Sequence, residues 1–378
     1  MNASGPKAAA ERHHAGPAGM PDGHGMTATM NSGAITIAGP AGASTKAPPL
    51  RPANRQFAIL AVLVLLAIPL PAILPSAQGA VAVRILIFAL MAVGWNIMSG
   101  FGGMFSFGHA AYFGVGAYTS AYLLVKHNVS PWIGMLAGMV VAAAVAVIIG
   151  YFSFRYKLQG AYFALATFAF AEMLRLIVTS SKFANKSVGF SVPLIQGSSL
   201  WKLQFPADSH AYFWVALVLA GAAVAISIAF LHSRAGRYVT AIRDDELAAA
   251  ALGTPVMRYK LMTVALSAAI TAVAGAFYTQ YYLFVNPDLG FGSAVSIQAI
   301  VPVVIGGIGT IWGPIVGAII VGSLTDVTAT LLRTPPDFLD FLKGRSGLDV
   351  VLYAVLLILI VRLLPKGIVG TIAARWRR

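Results

Sequence analysis

Between Phe57 and Leu364 the chain is a succession of apolar stretches, each about twenty residues long. That spacing restricts the fold more than any other feature. At 1.5 Å per residue, about 20 apolar residues make a helix that crosses the roughly 30 Å hydrocarbon core of a bilayer. Within hydrocarbon the backbone must satisfy its own polar groups, so runs of this length are helices. They are expected near 57–75, 82–99, 106–125, 132–153, 161–180, 211–231, 261–283, 296–310, 313–332 and 348–364. The expected fold is an all-α polytopic membrane protein with about ten transmembrane helices, a permease-like domain over 57–370. Charged residues make up only 10% of the chain, against about 25% in soluble domains, which excludes a soluble protein with two or three cores.

One charged island interrupts the pattern. Ser233 to Lys260 reads SRAGRYVTAIRDDELAAAALGTPVMRYK, inside a polar loop over 232–260. A charge at the bilayer centre costs about 2.5–3.5 kcal/mol even on lenient scales, so this segment must project into water. Helix formers from Asp245 to Leu252 are followed by Gly253 and Pro255, which stop the helix. The small side chains Ala248 to Ala251, Ala249 among them, offer a smooth face for a partner's groove. Arg243 and Glu246, three apart, are expected to set its register. A short helix held just outside a membrane reads as a docking surface for a soluble partner.

The net charge of +14 points to topology and not to nucleic acid, because the basic residues fall in short clusters between apolar spans. Arg51, Arg55, Arg155, Lys157, the five basic residues from Arg234 to Lys260, Lys366 and the basic tail 371–378 fall on one side. Lys126, Lys182, Lys186, Lys202, Lys343 and Arg345 are spread over longer loops on the other. Basic residues concentrate on the cytoplasmic side, so both termini and the island are expected there. Residues 1–56, rich in Ala, Gly, Pro, Ser and Thr, are expected to be a disordered cytoplasmic tail without a cleaved signal peptide. Its histidines 13, 14 and 24 read as a metal-binding tract or as incidental, and no metal site or cofactor is assigned.

Two Gly-rich segments interrupt the spans. Gly100 to His109 carries Gly102, Gly103, Ser106 and His109; Gly306 to Gly317 carries Gly306, Gly307 and Gly309. Each has a hydroxyl four positions after its first Gly of the Gly-Gly pair (Ser106, Thr310), a pattern that fits either a duplicated translocation pathway or close helix packing. Glu172 and Arg175 share a helical face as an intramembrane charge pair, structural or functional. His109 is placed at the mouth of the third span, to touch solute or to pack. Asp326 has no obvious local partner. No GxxxxGK[ST], HExxH or GxSxG occurs, and there is no cysteine, so an enzyme has no residues to stand on.

The order of motifs resembles a known family. GWNIMSGFGGMFSFGHAAYFGVGAYTSAYL (Gly94–Leu123), LQGAYFALATFAFAEMLRLI (Leu158–Ile177), the island, VVIGGIGTIWGPIVGA (Val303–Ala318) and LLPKGIVG (Leu363–Gly370) resemble the branched-chain amino acid ABC transporter permeases, LivM type. The resemblance implies a bacterial inner-membrane subunit that works beside a second permease subunit. It also implies ABC ATPase subunits docked inside, a periplasmic solute-binding protein, and lipid around the helices. The island would then be the ATPase-coupling element, with Glu246, Ala248, Ala249 and Gly253 at matching positions. Two positions depart from the pattern: Ala250 stands where the family usually has an acid, and Asn185 to Phe190 replaces a Thr-Gly-Gly-rich loop. The solute expected is a branched-chain or related amino acid, with urea, amides and aromatic-acid-like solutes left open. An ion-coupled secondary transporter is the other reading, but it would want more embedded carboxylates than Glu172 and Asp326. A structural scaffold fits poorly with glycines interrupting two spans.

Overall fold

The computed structural model describes residues 52–73, 75–194, 198–206, 209–333, 362 and 367–375. Most of the N-terminal tail with its histidines, the expected span at 348–364 apart from Arg362, and the last three residues lie outside the described residues.

The first helix, α1 (Ala53–Ala67), continues after a break at Pro69 into α2 (Leu70–Ile73). Then come α3 (Ser76–Trp95), a π-helical turn (Asn96–Phe101), α4 (His109–His127), α5 (Pro131–Arg155) and α6 (Gly160–Ser180). After an outer loop follow α7 (Ala211–His232), α8 (Arg234–Asp244), α9 (Glu246–Ala251) and α10 (Val256–Tyr282). The described chain closes with α11 (Pro287–Phe291), α12 (Ser293–Gly306), α13 (Gly313–Arg333) and α14 (Gly367–Arg375). Among the described residues eight segments are long and apolar enough to cross a membrane, and they match the expected spans except the third and the tenth. The third is present as α4, which falls short of that apolarity because it does not face lipid. Twelve of its residues are buried, so its surroundings are protein, and Ser267 and Gln280 of α10 meet its His109 and Ser120 there.

α4, α5 and α10 pack closely against one another, and glycine decides how close they come. A Cβ at Gly116 would strike the Ala272 backbone, one at Gly275 the Phe113 carbonyl, and one at Gly138 would crowd Gly116. Small residues let helix backbones approach in this way and gain dispersion energy that lipid cannot supply. α6 lies at the periphery, with Tyr162, Leu165, Leu176 and Ile177 exposed.

The loops fall at two ends. At one, Gln159, the island, the Gly-rich turn after α3 and the α12–α13 turn meet. At the other, Ser130 and Trp132 bind the carbonyls of Trp201 and Leu200. There also strand β1 (Phe190–Ser191) pairs antiparallel with β2 (Phe284–Val285), with Phe190 opposite Val285.

Candidate coupling and translocation site

The island does not form one helix through Arg243 and Glu246. Asp245 is extended (φ −155°) and breaks the chain between α8 and α9, and its carboxylate accepts from Ala248 N–H at 2.9 Å as the cap of α9. Gly253 (φ 80°) ends α9 in the left-handed region. Arg243 and Glu246 therefore take separate partners, which corrects the expected register pair. Glu246 accepts from Lys260 at 2.5 Å and from Gln159 at 3.3 Å. Arg243 donates from Nε and Nη2 to Asp244 Oδ1 at 3.1 and 2.9 Å, and from Nη1 to the Gly100 carbonyl at 3.3 Å. Its aliphatic stem lies against Gly103, where no Cβ would fit. Ala249 is also not on the outer face: it is 5% exposed, packed into its own chain. The exposed surface of α9 is instead Leu247, Ala248, Ala250 and Ala251, with Leu252 at its end, and the two leucines are 83% and 87% exposed. A cleft of about 150 Å³ opens between Gly102–Gly103, Phe154, Gln159–Gly160, Phe163, Arg243, Glu246 and Lys260.

Above Arg243 the backbone leaves the helix. Gly102 N–H reaches Ile97 O, five residues back, and Met104 N–H reaches Met98 O. Gly103 then turns at φ 68°, and Met104–Gly108 runs on without helical structure to α4. Ser267, which meets His109, stands eleven residues along α10 from Val256, about 16 Å at 1.5 Å per residue. α4 therefore begins deep in the bundle, and five non-helical residues fill the space below it. Irregular backbone at such depth persists only where protein or a watery cavity receives its polar groups. Here Ser106 O accepts from Trp95 Nε1 at 2.8 Å, and Met104 O accepts from Ser99 at 3.0 Å. Phe107 N–H donates to Thr167 and Ala110 N–H to Ser296, at 3.2 and 3.0 Å.

His109 is fully buried in this interior and not at a mouth. The single Ser267 hydroxyl proton goes to the Gly94 carbonyl at 2.7 Å, so Ser267 accepts from His109 Nε2–H at 2.9 Å. Among the described residues, the His109 Nδ1 has no hydrogen-bond partner. Ser106, also buried, accepts from Gly108 N–H at 3.1 Å.

The second Gly-rich segment makes the α12–α13 turn. Gly307 (φ 125°) and Gly309 (φ 73°) lie in the region that favours glycine, and Gly306 packs backbone to backbone on Gly313. Thr310 holds the turn from within, donating to Gly307 O and accepting from Gly313 N–H at 2.8 and 3.0 Å. The two segments meet through Asn96, which the sequence reading passed over. Its Nδ2 donates to Thr310 O and its Oδ1 accepts from Gly309 N–H, both at 2.9 Å. A lone amide at the end of an apolar span, before SGFGG, was the available signal.

At the other end, Arg175 binds Glu172 through Nε at 3.0 Å and Nη2 at 2.5 Å, as its spacing predicts. The same guanidinium reaches Asp288 at 2.7 Å, so it ties α6 to α11. Asp326 does have a partner: Arg84 on α3, 3.7 Å away.

The profile of the family described as "Branched-chain amino acid transport system / permease component" matches residues 79–361, which include both Gly-rich turns and the island. The chain belongs to this permease family. It is similar to the high-affinity branched-chain amino acid transport system permease protein LivH of Salmonella typhimurium, 28% identical over 296 residues, 75% of this chain and 91% of that one. LivM of Escherichia coli K12 is 27% identical over 287 residues, 70% of this chain and 67% of LivM. BraD of Pseudomonas aeruginosa is 24% identical over 299 residues, 75% and 91% of the two chains. LivH and LivM match almost equally, so the family is shown and the LivM subtype is not singled out. No solved structure matches. A permease of this family with these apolar helices is a multi-pass membrane protein.

Proposed function

We propose that the chain is the membrane-spanning permease subunit of an ABC importer in a bacterial inner membrane, taking up a branched-chain or related amino acid. Separate ATPase subunits would dock on α9 and drive it. A second permease subunit would complete the pathway, and a periplasmic binding protein would deliver solute. The observation that carries this reading is the direct line from an exposed apolar helix, α9, through Arg243 to the two Gly-rich turns of a permease-family chain. The end bearing Arg155, Lys157 and the island is read as cytoplasmic by its basic residues.

Phe107 supports the paired pathway. It is 38% exposed on a non-helical segment at membrane depth, a surface that lipid does not cover and a second permease or a water-filled path does. The ion-coupled alternative loses ground, because Glu172 and Asp326 are each engaged by an arginine.

The test is reconstitution with the ATPase, sister permease and binding-protein subunits. Leucine uptake is expected to require ATP and the ATPase subunits. Uptake that persists without them and follows a proton or sodium gradient overturns the reading. The chain has no cysteine, so single cysteines report topology: one at Asp244 should label from the inside only, and one at Lys186 from the outside only.

A further inference from the structure

Three separate elements converge on one residue, Gly100. Its carbonyl accepts from Arg243 at 3.3 Å, at the end of α8. Where a side chain would begin, the Asn96 amide and the Gly309 backbone occupy the space instead. Gly100 thus joins the island, the end of α3 and the α12–α13 turn.

Asn96 supplies the hold. It is 1% exposed, and its amide spends both functions on neighbouring residues of one turn, Gly309 and Thr310. The left-handed Gly309 presents the N–H and the following C=O to the same side, a geometry one carboxamide fills. The π-helical turn begins at this residue, and such turns often sit where a helix must give locally.

We propose that Asn96 is a latch that holds the α12–α13 turn against the end of α3 at the coupling end, and that Arg243 connects it to the ATPase-docking segment. The inference rests on the permease reading above. The latch is closed in this structure. A displacement of α8 acts on Gly100 through Arg243, and the turn separates from α3 only when the two Asn96 hydrogen bonds break. Asn96 and Arg243 are positioning residues here: they set when the turns part and bind no solute.

The experiment measures leucine transported per ATP hydrolysed, and hydrolysis without binding protein, in the reconstituted complex. Asn96→Ala removes both bonds. Asn96→Asp keeps the acceptor for Gly309 N–H but sets an oxygen against Thr310 O. Both are expected to raise hydrolysis in the absence of binding protein and to lower the leucine-to-ATP ratio about fivefold or more, within the usual range of coupling factors. Arg243→Met keeps the stem that packs on Gly103 but no donor, and should uncouple. Arg243→Lys keeps a donor, and should restore most of the ratio; a packing role alone would leave Met and Lys alike. If the Asn96 variants fail to reach the membrane, the Met and Lys pair decides. Unchanged coupling in Asn96→Ala at normal abundance, or equal ratios in Met and Lys, overturns the latch. A wild-type complex without ATP-driven uptake overturns the permease reading instead.

Discussion

The docking surface proposed on α9 can be tested with two side chains. Leu247 and Leu252 are 83% and 87% exposed on α9, so the free chain gains little from them, whereas a bound partner would. Moving a leucine fully from water contributes about 1.5–3 kcal/mol. Scaled by their exposure, the pair offers about 2.5–5 kcal/mol to a complex, and the lower half of that range is the safer figure because association also orders side chains. At about 1.4 kcal/mol per tenfold, Leu247→Ser with Leu252→Ser should weaken ATPase binding roughly 10²- to 10³-fold. Stability should shift by no more than about 0.5 kcal/mol, since both residues are already in water.

The assay is a titration of ATPase subunits onto the permease pair in nanodiscs, with thermal unfolding of the double variant alongside. Affinity within about threefold of wild type, which corresponds to less than 0.7 kcal/mol, would refute the assignment of α9 as the docking helix. Ala249 is the less informative position. Its burial means that Ala249→Trp would disturb the loop itself, and lost binding could then reflect local unfolding.

Gly275→Leu should force α4 and α10 apart, since even a Cβ meets the Phe113 carbonyl. The expected cost is about 3 kcal/mol or more, and an unchanged melting temperature in detergent would contradict the close approach. Arg175→Ala should cost about 1–2 kcal/mol, kept modest by the 77% exposure of Asp288, and the double change Glu172→Gln with Arg175→Met should recover most of it. If the double variant unfolds at the same temperature as Arg175→Ala, the loss does not come from the carboxylates left behind.

The spans that fall among the described residues were legible because crossing a bilayer depends on length and apolarity, which are properties of consecutive residues. Glu172 and Arg175 were legible for the same reason: three residues on a helix place them together. What escaped depends on residues far apart or on where a helix breaks. Asn96 meets Gly309 across 213 positions, and nothing local distinguishes it from a packed polar residue. The doublet Asp244-Asp245 offers two possible caps, and only the extended backbone at Asp245 shows which one separates Arg243 from Glu246. Apolarity over 106–125 does not reveal that Met104–Gly108 is non-helical, and so does not show that His109 is enclosed instead of standing at a mouth.

Glycine serves two different needs in this fold. Gly116, Gly138 and Gly275 are helical and are needed because a neighbouring backbone occupies the place of a side chain. Gly103 and Gly309 are needed for their positive φ, and they form the turns at the charged end. The first kind fixes helices at one distance, because any separation forfeits dispersion contacts along the whole face. The second kind lies in turns where side-chain hydrogen bonds from Asn96, Thr310 and Arg243, each contributing on the order of 1 kcal/mol, add to backbone packing such as that of Gly307 against Gly367. Arg243 reaches the second kind and is attached to none of the first. If the island is the docking segment proposed above, a force applied to it would reach these turns first, while α4, α5 and α10 remain packed as the body it moves against.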